Sequence, residues 1–229
     1  MELSNTSYSG ISIQVSLSGY SFKLTTSQEE NSSGWLPAER IFTTPEFQRR
    51  YTEVNIALLT PKVALVPESF WNQENAREAL SAVVNLSPED VVEWVKVPSL
   101  ASVLVFSNTI GETLSRVLAQ TVLPASGTPA RVLPEMYYML LSLDSIAEYN
   151  KIVASWRDGW LHLVIAQGKS LLLANVYEAP DFTTAQYFLF LALKRLQLNP
   201  EVSTVFFRTP LAPEAELSMY RYFKSVVQL

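Results

Sequence analysis

The sequence predicts a mixed α/β protein of two lobes, and three observations lead there. Two segments, Ile11 to Leu24 and Lys151 to Val164, repeat one pattern: an apolar strand, a turn, an aromatic residue and a second strand. Their turns carry Ser18-Gly19 and Asp158-Gly159, dipeptides suited to positive backbone dihedrals in a two-residue hairpin. Behind each hairpin, strand-like apolar runs alternate with helical stretches, which is how a mixed sheet with packed helices reads in one dimension. A chain of 229 residues is long enough for two lobes, taken here as residues 1–147 and 148–229.

The elements follow in order. After the first hairpin, Ser27 to Gly34 is polar and reads as a loop, and Trp35 to Thr43 as a third strand whose Pro37 points to an edge or bulge. Thr44-Pro45 suits a helix start, with Phe47 and Tyr51 four apart on one face. Val54 to Leu59 and Val63 to Val66 are buried strands, and Pro67 to Val84 is a charged helix. Val91 to Val97 and Ser102 to Phe106 flank a Pro98-Ser99 turn. A helix follows from Asn108 or Thr109 to Thr121, then a short strand at Ala130 to Leu133 and a helix from Pro134 to Tyr149. In the second lobe come the hairpin, a strand from Ser170 to Tyr177, and a helix from Asp181 or Thr183 to Leu196. A strand at Val202 to Phe207 and a terminal helix from Pro213 to Val226 complete it, with Glu214 and Glu216 in the favourable first turn. The run Tyr187 to Leu193 is apolar nearly all round, as in a helix buried on more than one side.

Composition excludes whole classes of function. Hydrophobic residues make up 48% and charged residues 17%, which is the balance of an ordered globular chain. A formal charge of −5 without a dense Lys/Arg cluster argues against a nucleic-acid partner. The absence of cysteine removes disulfides, thiolate metal sites and cysteine nucleophiles, and a single histidine, His162, rules out a multi-histidine metal site within one chain. The N-terminus lacks signal-peptide character and no apolar run reaches membrane-spanning length, so no membrane insertion and a cytoplasmic location are expected.

Three stretches carry a family resemblance. They are the opening hairpin Ile11 to Phe22, the segment Ala64-Leu-Val-Pro-Glu-Ser-Phe70 leading into an acidic helix, and Gly168 to Glu178 followed by Asp181 to Leu198. Together they resemble a bacterial family known only as domain of unknown function 3822. The resemblance implies an actin-like ATPase, or ribonuclease H-like, fold in which each lobe opens with a β-hairpin. It implies no activity, so no catalytic residue is carried over. A more distant similarity runs to the actin-like cytoplasmic scaffold proteins of pilus and secretion machines.

In actin-like ATPases an aspartate ends the first strand and orders magnesium, beside glycines whose amides approach phosphate. Here that region is Ser16-Leu17-Ser18-Gly19, and serines cannot neutralise a metal. The second turn offers Arg157-Asp158-Gly159, in which Asp158 could order magnesium while Arg157 met phosphate; Asp-Gly is equally a common hairpin turn for conformational reasons alone. The adenosine-binding element would follow Val202 to Phe207 and needs adjacent glycines, where this chain has Arg208-Thr209-Pro210. All seven glycines are isolated, so neither familiar phosphate-binding loop is present, and Gly168-Lys169-Ser170 reads as another hairpin turn. His162 is expected on a strand face with a hydrogen-bond partner.

The expectation is a non-catalytic actin-like protein, a pseudo-ATPase acting as a protein-binding or scaffold module. It has no cofactor and no metal, an unidentified protein partner, and a homodimer left open. The candidate ligand-contact residues are Ser16, Ser18, Gly19, Arg157, Asp158, Gly159, Arg208 and Thr209. The alternative is a divergent nucleotide-binding ATPase or kinase that uses Asp158 to order magnesium.

Overall fold

The computed structural model describes residues 8–26, 28–109, 118–122 and 124–229. In chain order the first strands are β1 (Gly10–Val15), β2 (Gly19–Thr25), β3 (Glu30–Ser32), β4 (Leu36–Pro37), β5 (Glu53–Leu58), β6 (Val63–Pro67), β7 (Val92–Val97), β8 (Ser102–Ser107) and β9 (Val132–Pro134). The later strands are β10 (Asn150–Arg157), β11 (Trp160–Gln167), β12 (Ser170–Glu178), β13 (Thr204–Phe207) and β14 (Ser225–Gln228). The α-helices that lie wholly within the described residues are α1 (Ala76–Ser81), α2 (Glu135–Ser142), α3 (Phe182–Arg195) and α4 (Pro213–Tyr220). The chain divides into two compact units, Met1–Leu58 with Thr109–Leu133, and Leu59–Asn108 with Pro134–Leu229.

The first unit is built on a sheet of order β3-β2-β1-β5-β9, with β4 paired to the start of β2. β1 and β2 are antiparallel, while β1 and β5 run parallel in the register Ile13 to Ile56. Alternation explains the core: Ile11, Ile13 and Val15 of β1 bury on one face with Tyr20, Phe22 and Leu24 of β2 and Ile56 and Leu58 of β5. The opposite face keeps Gln14 and Ser21 buried as a pair, the serine hydroxyl donating to the Gln14 amide oxygen at 3.2 Å.

The second unit holds two sheets. One is antiparallel, order β6-β8-β7, its core formed by Leu80 of α1 with Val103 and Val105 of β8. The other has order β12-β11-β10-β13-β14, antiparallel through the first three strands and parallel from β10 to β13 to β14. Ile152 and Ala154 of β10 and Leu161, Leu163 and Ile165 of β11 turn to α3 and α4, which supply Ala185, Leu189, Leu193 and Met219. Asp181 caps α3 by accepting the Thr184 N–H at 2.7 Å, and Lys194 and Arg195 sit in its last turn, where the helix dipole favours cations. The α3 run Tyr187 to Leu193 is buried only along the stripe that includes Leu189, Ala192 and Leu193, and Tyr187 is exposed.

Several elements differ from the sequence reading. Residues 35–43 form only the two-residue β4 before a 3-10 turn at Ala38–Thr43, and β3 lies within the stretch read as loop. The Pro45 segment is a single 3-10 turn ending at Gln48, because the Thr44 hydroxyl is spent on the Arg40 carbonyl and the Tyr20 hydroxyl instead of capping a helix. The charged segment after Pro67 breaks into two 3-10 turns before α1 begins at Ala76. The terminal helix stops at Tyr220 and the chain returns as β14. Met219, Phe223 and Val226 all enter the core, and their spacing imitates a continuing helix. The helix expected from 108 to 121 lies largely outside the described residues.

Candidate functional site

The first hairpin closes on a turn of Leu17-Ser18, since Val15 faces Tyr20 and the Ser16 N–H donates to the Gly19 carbonyl at 2.9 Å. The expectation that Ser18-Gly19 would supply positive dihedrals is therefore corrected: Gly19 lies in β2 and is absent from the positive-φ residues. It is glycine for a different reason, because a Cβ there would stand 2.2 Å from the Leu36 carbonyl oxygen and 2.7 Å from the Trp35 indole nitrogen. The two serines satisfy each other. Ser16 Oγ lies 3.3 Å from Ser18 Oγ and accepts the Ser18 N–H at 3.2 Å.

The second hairpin has the geometry its sequence announces. Arg157 faces Trp160 across a turn in which Asp158 has φ +52° and Gly159 φ +78°, both left-handed. An aspartate tolerates that region better than most residues, so the backbone accounts for Asp158 without chemistry. The Arg157 guanidinium is held below its ordinary pKa by burial, with the Asp158 carboxylate acting in the opposite sense. Gly168-Lys169 closes the next hairpin, as read, with Gly168 at φ +55°.

Arg208 and Thr209 follow β13 directly beside the end of β10. The Arg208 N–H donates to the Ala154 carbonyl at 2.9 Å. Thr209 is fully buried, its hydroxyl accepting the Trp156 N–H at 2.9 Å and donating to the Trp156 carbonyl at 3.3 Å. The fold thus gathers Arg157, Asp158, Gly159, Arg208 and Thr209 at one end of one sheet in the second unit. Ser16, Ser18 and Gly19 gather on one turn of the first unit.

A cluster that sequence reasoning missed lies on the face of this sheet away from α3. Glu135, the first residue of α2, is completely buried. Its Oε1 accepts from Arg208 Nε at 2.8 Å and from Ser155 Oγ at 2.6 Å. Ser155 pairs in register with His162, which is 1% exposed. His162 Nε2 lies 2.8 Å from the Thr60 carbonyl; a carbonyl only accepts, so Nε2 carries the proton. Nδ1 is then an acceptor with no hydrogen-bond partner among the described residues. Burial pushes the His162 pKa below its usual value, and the Thr60 carbonyl and nearby Glu135 only partly offset this. A carboxylate, a guanidinium, a hydroxyl and a neutral imidazole therefore meet in a water-poor space. His162 and Arg208 were legible singly, as a strand residue with a hydrogen-bond partner and as a strand-end candidate, whereas Glu135, Ser155 and the grouping itself were not.

What this arrangement can do chemically is narrow. Glu135 and Arg208 engage each other through Oε1 and Nε, so the wholly buried carboxylate is spent on the pair while the Arg208 side chain stays 19% exposed. The Arg208 guanidinium also lies 5.8 Å from the Tyr138 ring centre, a cation–π distance. Among the described residues no group of three or more His, Asp or Glu side chains could hold a metal ion.

The chain belongs to the family of proteins of unknown function DUF3822, whose sequence profile matches residues 1–226. In structure it is similar to a Bacteroides thetaiotaomicron protein with an actin-like ATPase fold and unknown function: TM-score 0.67 and 17% identity, covering 100% of this chain and 94% of that one. It is similar also to the cytoplasmic domain of EpsL, an inner-membrane component of the Vibrio cholerae type II secretion system (TM-score 0.52, 12% identity, 89% and 83% covered). A third likeness is to the PilM-PilN type IV pilus biogenesis complex (TM-score 0.50, 12% identity, 96% and 88% covered). At such identities the likeness shows the fold, and the fold is that of the actin-like ATPases. No curated protein matches the chain. No helix among the described residues is long and apolar enough to cross a membrane.

Proposed function

We propose that this protein is a non-catalytic actin-like module, a pseudo-ATPase that works by holding a protein partner in the cytoplasm. The observation that carries the reading is the strand end after β13. There Arg208 is tied to buried Glu135, and the Thr209 hydroxyl is spent on both backbone groups of Trp156. A nucleotide that contacted Arg208 Nε or the Thr209 hydroxyl would have to displace those bonds, and breaking a buried pair by removing one partner costs about 3–5 kcal/mol. The first turn supports the same reading, since Ser16 and Ser18 bond to each other and offer no charge for a metal. Two of the structural neighbours are components of multi-protein machines, a secretion system and a pilus biogenesis complex, which fits a module that binds proteins.

The test is calorimetric and thermal-shift titration with ATP, ADP and GTP, with and without magnesium. The expected result is no saturable response at millimolar nucleotide. A saturable, magnesium-dependent response that disappears in Asp158→Asn overturns the reading and assigns the chain to divergent nucleotide-binding enzymes.

A further inference from the structure

One edge of the five-stranded sheet is open. β12 pairs with β11 on one side and has no strand on the other among the described residues. The turn at Asp158-Gly159 fixes which backbone groups face which way. Arg157 and Trp160 close that hairpin, and the Ala179 N–H donates to the Gly159 carbonyl at 2.6 Å, so alternation points Tyr177, Asn175 and Leu173 toward β11. Ala174 and Val176 then present their N–H and C=O groups outward, toward the free side.

An open edge of this length is a template for another strand. Apart from a bulge at its start, between the pairs Ile165–Leu173 and Ala166–Leu171, β12 carries few of the devices that block pairing: it contains no proline and no lysine. Asn175 sits exposed at its middle, although asparagine is poorly suited to strands, and its side chain makes no hydrogen bond within the described residues.

We propose that the edge pairs with the same edge of a second copy, antiparallel, about a two-fold axis through Asn175. This goes beyond the reading of function above and does not depend on it. In that register the Asn175 amides face each other, each able to donate to the other's oxygen. Ala174 lies opposite Val176 of the other copy in two reciprocal hydrogen-bonded pairs, and Leu173 opposite Tyr177. Charge agrees with the arrangement, because reversing one strand brings the Lys169 turn of each copy toward the Glu178 end of the other. The half-buried Tyr177, stacked on Phe188 of α3 at 4.8 Å, lines the same edge and extends the covered surface. Such self-complementarity is the mark of an isologous interface.

Light scattering on the full chain at about 100 μM, well above a micromolar Kd, should give twice the 25.7 kDa of one chain. Ala174→Pro removes an outward N–H without touching the β11 ladder and should give a folded monomer whose Tm matches that of the unmodified chain diluted well below its Kd. Should that variant fail to fold, Asn175→Asp decides: two carboxylates at the axis should weaken the dimer at least tenfold at pH 7. Asn175→Cys, the lone cysteine in a chain that has none, should form a symmetric disulfide on mild oxidation, since a non-hydrogen-bonded pair sets the Cα atoms about 4.5 Å apart. A monomeric unmodified chain, or a dimer indifferent to Asn175→Asp, overturns the proposal.

Discussion

The two hairpins look alike in sequence, each with a glycine before an aromatic residue, yet the glycines serve opposite needs. Gly159 is required by its own backbone: it holds φ +78°, and an added Cβ would meet only the Pro180 Cα at an ordinary 3.7 Å. Gly19 is required by its neighbour, since β4 crosses so closely that a Cβ would lie inside the Leu36 carbonyl. One hairpin is shaped locally and the other by what packs on it. The same contrast runs through their side chains, because the first turn bonds to itself whereas the second hairpin's strand, β10, is wired through Ser155 to Glu135 and through Trp156 to Thr209.

That contrast can be broken at several points. The largest effect is expected at Arg208→Ala, which leaves Glu135 buried without its counter-ion and should cost about 4 kcal/mol in urea unfolding. Replacing both Arg208 and Glu135 by Met should cost much less than the single change; equal losses would mean that the pair is not coupled. The glycines come next. Gly19→Ala forces backbone apart and should cost about 3 kcal/mol, whereas Gly159→Ala strains one dihedral and should cost about 1 kcal/mol. Equal costs would erase the distinction between a glycine set by packing and one set by conformation.

The last effect is one of pH, and it vanishes above the range in which histidine titrates. His162 is neutral when folded and its pKa is lowered, so the unfolded chain takes up a proton that the native state refuses. Its contribution is complete above about pH 6.5, the unfolded value, and is lost as pH falls from there toward the lowered folded pKa. The slope should approach about 1.4 kcal/mol per pH unit for one proton, and His162→Gln should remove it. Asp90 works in a lower window. Burial alone would raise its pKa, but hydrogen bonds from Lys62, Ser107 and the Ser87 N–H outweigh that and hold it well below the carboxylate range. Its contribution is present above the ordinary carboxylate pKa and is lost only as pH falls toward the depressed folded value, so His162→Gln should leave that acid limb in place.

Much of the fold was legible because strands reveal themselves by period. β5, β7, β8, β10, β12 and α3 fall within a residue or two of their sequence expectations, and β11 runs three residues past its own to Gln167, their apolar positions alternating or striping as burial demands. Three of the misses are of one kind. Ala38–Thr43, Pro45–Gln48 and Glu68–Phe70 are 3-10 turns whose side chains have helical or strand-like spacing, and around the first two the Thr43 and Thr44 hydroxyls bond to the Arg40 carbonyl. β14 was hidden because Met219, Phe223 and Val226 keep a helical interval while serving one core from two different elements.

The sequence by itself determined the two hairpins, the Asp158-Gly159 turn and the lack of any glycine-rich phosphate grip, because these depend on the dihedral freedom of single residues and on which residue types are present. Only the tertiary structure decided that Gly19 answers to Leu36, that Thr209 spends its hydroxyl on Trp156, and that Glu135, Ser155, His162 and Arg208 share one buried space. Those residues lie far apart along the chain, and nothing local to any of them encodes the partner. Strand order and the packing of α2 bring them together, and the low dielectric of a packed interior then makes each pairing strong enough to define the site.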